Sequence, residues 1–477
     1  MTSMTSSITA PRTLVNKIWD RHVIKELSDG RTLLHIDRHF LHDGTSRQAF
    51  DGMRRIKRPV RNRNLTFAVV DHILSTLPGR TGESHPPGIE RIHALRDNCR
   101  EFAVELYDVD SPLQGIAHVI APELGITLPG ATLVCGDSHT ATNGGLGALA
   151  WGIGTTEVMH VIATQALLQR KPKQMRITFN GSIGPGVYAK DLILYFMSRH
   201  GVASGTGCAV EYAGPAMRAL PIEARMTICN MSIEFGARMG IVAPDDKTIS
   251  YVADRPFAPK GAQWDRAVAE WRSLASDADA VLDNDVEIDC NQIGPQVTWG
   301  NSPMDAAAID EALPDPSTFT DAARRQALER AYTYMNLAPG RTLEGVPIDY
   351  AFIGSCTNSR LSDLEAAAQV VRGRKVRASV TALVVPGSMA VKAAAEAAGL
   401  DKVFIEAGFE WRNAGCSMCV GSNGDLVPPG KRSISTTNRN FEHRQGPHSR
   451  THLAGPAMVA AAAVSGCITD VRKLLNT

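Results

Sequence analysis

Short apolar, β-branched runs alternate along this chain with Ala-rich stretches of helical period, and that alternation limits its possible folds more than any other feature. "ATLVCGDSH", "MRITFNG", "YAFIGSC", "ASVTALVVPG" and "KVFIEAG" read as strands, while "TTEVMHVIATQALLQR", "LSDLEAAAQVVRG" and "SMAVKAAAEAAG" read as helices. Interleaving of this kind predicts α/β layers with mostly parallel strands. Several strands break off in small polar residues where a helix should begin, as in "GDSHT" after Val134 and "GSCTNS" after Ile353. Ligands of open α/β sheets gather at such carboxyl ends.

At 477 residues, 44% of them hydrophobic, the chain outgrows a single core. Gly and Pro accumulate in "FNGSIGPGVYAKD", and the stretch from "WDRAVAEWRSLASDADAVLDNDVE" to "DEALPDPSTFTDAARR" is polar and acidic. Boundaries are therefore expected near 175 and 295, giving units over 1–175, 176–295 and 296–477. Fifty Lys and Arg against 49 Asp and Glu leave no strong field to draw in nucleic acid or an anionic membrane. The polar amino terminus, "MTSMTSSITAPRTLVNK", lacks the apolar segment of a secretory signal and reads as a frayed tail, so a cytoplasmic location is expected. The most apolar run, "AGPAMVAAAAVSGCI", is shorter than a membrane span and suits a packed helix.

Nine cysteines without regular spacing do not form a secreted disulfide framework. Two lie in "NAGCSMCVGSNGD", an open loop of small residues, and Cys416 and Cys419 alone fit a redox pair, half of a zinc site or part of an iron–sulfur site equally. Cys356, in "IGSCTNSR", stands at another predicted strand end. Three thiolates on two loops would hold a cluster and leave one metal position without a protein ligand, whereas a structural zinc or an idle CxxC stands at even odds on spacing alone.

The remaining candidates carry proton chemistry. Asp71 and His72 adjoin in "VVDHILST", His118 stands in "GIAHVIAPE", and Asp137, Ser138 and His139 follow one another in "CGDSHTATNGG". Imidazole tuned by carboxylate is the usual proton donor near neutral pH, although each His singly is more often a satisfied core or surface residue. "ICNMSIEFG" places Asn230 and Glu234 four apart on an expected helix, and a Glu among apolar residues needs a partner. "TTNRNFEHRQG" supplies Asn438, Arg439 and Arg444 near a turn, where the planar guanidinium suits carboxylates.

Taken in order, "GDSHTATNGG", "ICNMSIEFG", "GSCTNSR", "GCSMC" and "TTNRNF" resemble the aconitase superfamily, and within it the large subunits of isopropylmalate dehydratases, over nearly all of residues 12–475. The resemblance implies three α/β/α layered domains around one [4Fe-4S] cluster, without the family's swivelling fourth domain. It implies that Cys356, Cys416 and Cys419 ligate three irons and leave the fourth for substrate. Asp71 and His72 would protonate the departing hydroxyl, His118, Asp137 and His139 would orient it as water, and Glu234 would hydrogen-bond to the same oxygen. Gln48, in "GTSRQAF", would help bind substrate. Ser138, Asn230, Asn438, Arg439 and Arg444 would line the pocket, the arginines anchoring carboxylate and the asparagines supporting the cluster. A separate small subunit is expected to bring the fourth domain, with its serine base and neighbouring arginine.

The reaction so implied is dehydration and rehydration of a small hydroxy-dicarboxylate, with 2-isopropylmalate/3-isopropylmalate interconversion in leucine biosynthesis as the leading case. A sister hydro-lyase on methylmalate/citraconate or homoaconitate is the near alternative, and a non-catalytic metal- or RNA-binding relative the distant one. Two departures bear on substrate choice. His443 stands where the family usually has glycine, followed by Pro447, His448 and Ser449, and "VGSNGDLVPPG" differs from the usual loop after the CxxC. A left-handed backbone at residue 443 would strain His443 or shift its loop.

Overall fold

Two five-stranded parallel sheets carry their crossover points against a common cavity, and this arrangement sets the architecture in the computed structural model, which describes residues 10–475. In the first, the order is Glu105–Tyr107, Thr66–Val69, Arg38–His42, Thr132–Cys135, Leu149–Gly152. The chain starts at the central strand, steps outward twice, then returns to the other side of Arg38–His42, where Arg38 pairs with Leu133 and Phe40 with Cys135. Another sheet repeats this plan: Glu410–Trp411, Thr381–Val384, Tyr350–Ile353, Arg432–Ser435, Arg450–Leu453, with Tyr350 opposite Ser433 and Phe352 opposite Ser435. Where strand order reverses, the loops leaving neighbouring carboxyl ends diverge and open a crevice.

Between these two in sequence lies a four-stranded parallel sheet, ordered Met239–Val242, Cys208–Ala213, Lys173–Asn180, Asn284–Asp289. Alternate residues of Lys173–Asn180, among them Met175, Ile177 and Phe179, are buried against the helix Ala189–His200 side, while Arg176, Thr178 and Asn180 are half-buried on the other. One apolar cluster runs from Leu41 and Leu149 of the first sheet into Ala209, Met226 and Ile241, so these two sheets share packing. A three-stranded antiparallel sheet, Val23–Glu26, Arg31–His35 and Ala166–Arg170, flanks the first.

Three local expectations are corrected. "KVFIEAG" belongs to the helix Leu400–Ala407: Leu400, Phe404 and Ala407 face the core at helical spacing after Gly399, whose φ of 73° starts the turn. The run "TTEVMHVIATQALLQR" is a helix only over Thr155–Thr164; Gln165 takes a left-handed φ of 56°, and Ala166–Arg170 becomes a strand. Within the amino-terminal tail, the Arg12 N–H donates to Asp277 Oδ2 at 2.7 Å, the Thr13 hydroxyl caps the helix Leu14–His22, and Leu14, Val15, Ile18 and Trp19 are buried. The rest of that tail reading, residues 1–9, lies outside the described residues. No helix among the described residues is long and apolar enough to cross a membrane.

Candidate active site

A cavity of about 300 Å³ lies between the two crossover points. The first sheet lends it His42, Gly44 and Thr45 from the end of Arg38–His42, and Gly136, Asp137, Ser138 and His139 from the end of Thr132–Cys135; the other lends Cys356, Arg439 and Arg444. A larger cavity, about 580 Å³, sits at the carboxyl ends of the four-stranded sheet, but it contains none of the predicted site residues.

Asp137 is the node of the proton network. Its Oδ2 meets His72 Nε2 at 3.0 Å, its Oδ1 meets His118 Nε2 at 3.0 Å, and the same Oδ1 accepts the His139 backbone N–H at 2.7 Å, capping the turn Ser138–Leu146. His72 Nδ1 sits 2.5 Å from Asp71 Oδ1, so both ring nitrogens face carboxylates. Burial opposes a charge on His72, yet Asp71 and Asp137 together raise its pKa well above the usual imidazole value. The three histidines in turn hold Asp137 well below the usual carboxylate range despite its burial. His139 Nε2 continues the chain to Glu234 Oε1 at 2.7 Å. Burial alone would raise Glu234; the His139 bond and the Arg439 guanidinium, 3.0 Å from Oε1, keep it ionised.

Glu234 thus has the partners its apolar surroundings demand, but not the expected helix: Ile222–Asn230 ends at Asn230, and Glu234 projects from the single 3₁₀ turn Met231–Phe235. Arg439 also donates to Ser138 Oγ at 3.0 Å. Arg444 stacks over Phe441, 5.3 Å from the ring centroid, and its Nε is buried without a partner.

Cys356, Cys416 and Cys419 are free thiols, 5–7% exposed, on the same cavity wall. The Asn230 amide donates to Cys356 Sγ at 3.2 Å and the Asn438 amide at 3.5 Å, while the Ser355 hydroxyl donates to Cys419 Sγ at 3.2 Å. Burial pushes the Cys356 thiol up to about 12, so thiolates here require a cation. Amide and hydroxyl donors aimed at sulfur, together with three converging thiols, fit an iron–sulfur group. Ser355 and Ser417 adopt φ of 77° and 48°, bending their loops to turn Cys356 and Cys416 inward. The CxxC loop docks on the first sheet's loop through Cys416 N–H to Asp71 O at 3.0 Å and Asn413 N–H to Thr76 O at 2.7 Å.

Asn230 and Asn438 are fully buried behind Cys356, with their amides on its sulfur, and are not among the residues on the cavity wall. Gln48 is exposed on the helix Ser46–Ile56, whose Ala49, Phe50 and Met53 face the core, and it does not reach the cavity wall. Several residues went unread in the sequence. His42 stacks on His72 at 4.3 Å, and Asp43 accepts the backbone N–H of His72 and Ile73 at 3.2 and 3.0 Å. Their signal was present, since "LHDGTS" is another apolar run giving way to small polar residues. Lys190 is fully buried and donates to the carbonyls of Thr436 and Thr437, both at 2.6 Å, steadying the loop that carries Asn438 and Arg439; Arg360 donates to His118 O at 3.3 Å. Nothing in the sequence neighbourhood of Lys190 marks it, whereas Arg360 closes "GSCTNSR" four residues after Cys356.

The chain matches the aconitase family (aconitate hydratase) over residues 16–466 and belongs to that family. It is 58% identical, over 98% of each chain, to a protein of Bradyrhizobium diazoefficiens named 3-isopropylmalate dehydratase large subunit 1. The crystal structure of holo-form aconitase X from Thermococcus kodakaraensis superposes with a TM-score of 0.47 at 11% identity, over 93% of this chain and 89% of that one, a likeness too loose to carry an argument.

Proposed function

We propose that this chain is the large subunit of a cytoplasmic hydro-lyase that interconverts 2-isopropylmalate and 3-isopropylmalate in leucine biosynthesis. It would work as a heterodimer, with a small subunit bringing the swivelling domain and its serine base. The observation that carries the reading is the convergence of three thiols, a carboxylate-bound histidine and two arginines on one cavity, in a chain 58% identical to the Bradyrhizobium large subunit. The layered units are assigned to 1–175, 176–295 and 296–477.

Cys356, Cys416 and Cys419 would hold one [4Fe-4S] cluster, which when bound supplies a Lewis acid that weakens the substrate C–O bond. His72, kept protonated between Asp71 and Asp137, gives its proton to the departing hydroxyl. His118 and His139, both tied to Asp137, orient the departing water, and ionised Glu234 accepts a hydrogen bond from it. Arg439 and Arg444 anchor the substrate carboxylates beside Ser138, and the Asn230 and Asn438 amides hold Cys356. The α-proton leaves to the partner's base, so the overall step is an elimination with no change of oxidation state.

The test is anaerobic reconstitution with the small subunit and assay on 3-isopropylmalate, methylmalate/citraconate and homoaconitate. Turnover of 3-isopropylmalate above the others is expected. An assembled, iron-loaded enzyme inert on 3-isopropylmalate but active on citraconate would overturn the substrate assignment.

A further inference from the structure

The loop 441–449 is built around two non-glycine residues in the left-handed region, His443 with φ 69° and His448 with φ 56°. Such positions cost backbone energy and persist only where surrounding contacts enforce them. Here the contacts form a clasp. The His443 backbone N–H donates to the Tyr334 hydroxyl at 3.0 Å, and that hydroxyl donates to Ser449 O at 2.6 Å. The His448 backbone N–H donates to His443 Nδ1 at 2.8 Å, and the His443 ring meets the Tyr334 and His448 rings edge-on, with centroids 5.8 and 4.8 Å away. Tyr334 stands on the helix Ala322–Met335, so the loop is pinned to an element outside its own sheet.

Arg444 follows His443 directly. On its other side Gln445 is fully buried: its amide donates to Met418 O within the CxxC loop and to Ser435 Oγ, both at 3.2 Å, and its side-chain oxygen accepts from Thr451 Oγ1 at 3.1 Å. Arg444 is thus fixed at both neighbours, by a buried anchor toward the cysteines and by the exposed clasp toward Tyr334. Of the two, the Gln445 anchor sets where the loop sits, and the clasp sets how the residue before the guanidinium is turned.

We propose that His443 is a positioning residue for Arg444: by accepting the His448 N–H while holding a left-handed backbone against Tyr334, it aims the Arg444 guanidinium into the cavity and so tunes affinity for the substrate carboxylate. The inference rests on the reading of Arg444 as a carboxylate anchor. Two demands fall on residue 443, tolerance of positive φ and an acceptor near the Nδ1 position. Glycine meets the first alone, asparagine meets both, and leucine meets neither.

The experiment measures KM and kcat on 3-isopropylmalate for the assembled heterodimer with His443→Gly, His443→Asn, Tyr334→Phe and Arg444→Ala, together with iron content. His443→Gly and Tyr334→Phe are expected to raise KM about three- to tenfold, the weight of one or two neutral hydrogen bonds, with kcat and iron content held. His443→Asn is expected to restore KM to within about twofold of the parent. A His443→Gly enzyme with the parent KM overturns the clasp's role, provided Arg444→Ala raises KM. An Arg444→Ala enzyme with unchanged KM overturns the anchor reading itself, and the two failures are therefore distinct.

Discussion

Replacing Asp137 with Asn tests the proton network at its node. The change is isosteric, and Asn caps a helical turn as well as Asp, so the turn Ser138–Leu146 should persist. What it removes is a negative charge contacted by His72 Nε2 and His118 Nε2, both at 3.0 Å, and by the His139 N–H at 2.7 Å. A charge-assisted hydrogen bond contributes about 1.5–3 kcal/mol against about 1 for a neutral one, a difference near one pKa unit for His72. Asp71 still holds Nδ1, so the imidazolium weakens but survives. The His72 pKa lies well above the usual value, and its charged form is lost as pH rises through it; the alkaline limb of kcat/KM should therefore move about one unit toward acid. The assay is a pH–rate profile of parent and variant, carried alkaline until the parent rate falls, with iron content and thermal midpoint as controls. A folded, iron-loaded variant whose alkaline limb stays in place would refute the claim that Asp137 sets the charge on His72.

Cys416→Ser should abolish retention of the iron–sulfur group; unchanged iron and sulfide per chain would contradict the ligand assignment. Acid should destabilise the fold through buried neutral imidazoles: burial holds His39 and His452 down to about 3, so below the ordinary value the unfolded chain takes up protons that the native one refuses. Stability is lost as pH falls from about 6.5 toward 3, each group contributing about 2 kcal/mol of loss at pH 5. Urea midpoints at pH 7 and 5 measure it, and His39→Leu, at a ring with neither nitrogen bonded, should recover its share. Gly144→Ala should cost about 3 kcal/mol, because a Cβ there would lie 1.7 Å from the Gly240 carbonyl oxygen, and a thermal midpoint equal to the parent's would disprove that crowding.

Most of the site could be read from sequence because its residues cluster where strands end, a position that apolar runs and small polar residues announce together. Cys356, Asp137 and Asn438 all follow this rule, and so does the missed pair His42–Asp43. Buried polar residues inside helices escape it. Lys190 sits in the helix Ala189–His200 among Ala, Asp and Leu, and its role exists only because a loop 246 residues away presents two carbonyls. The misread "KVFIEAG" shows the limit of short apolar runs: Val403, Phe404 and Ile405 have strand propensity, but the burial of Leu400, Phe404 and Ala407 follows a helix. The His443 backbone was legible as a conflict, and the structure keeps the left-handed angle and accommodates it through Tyr334 and His448.

Because the cavity draws on two crossover points, its components arrive on a growing polypeptide at very different times. His42 through His139 leave the ribosome long before Cys419 and Arg444, and at about 5–20 residues per second tens of seconds separate the first from the last. During that interval Asp71 and His72 lack the CxxC loop that later packs on them. On the proposed ligand assignment, the set of thiols that would hold iron is complete only once Cys419 has left the ribosome.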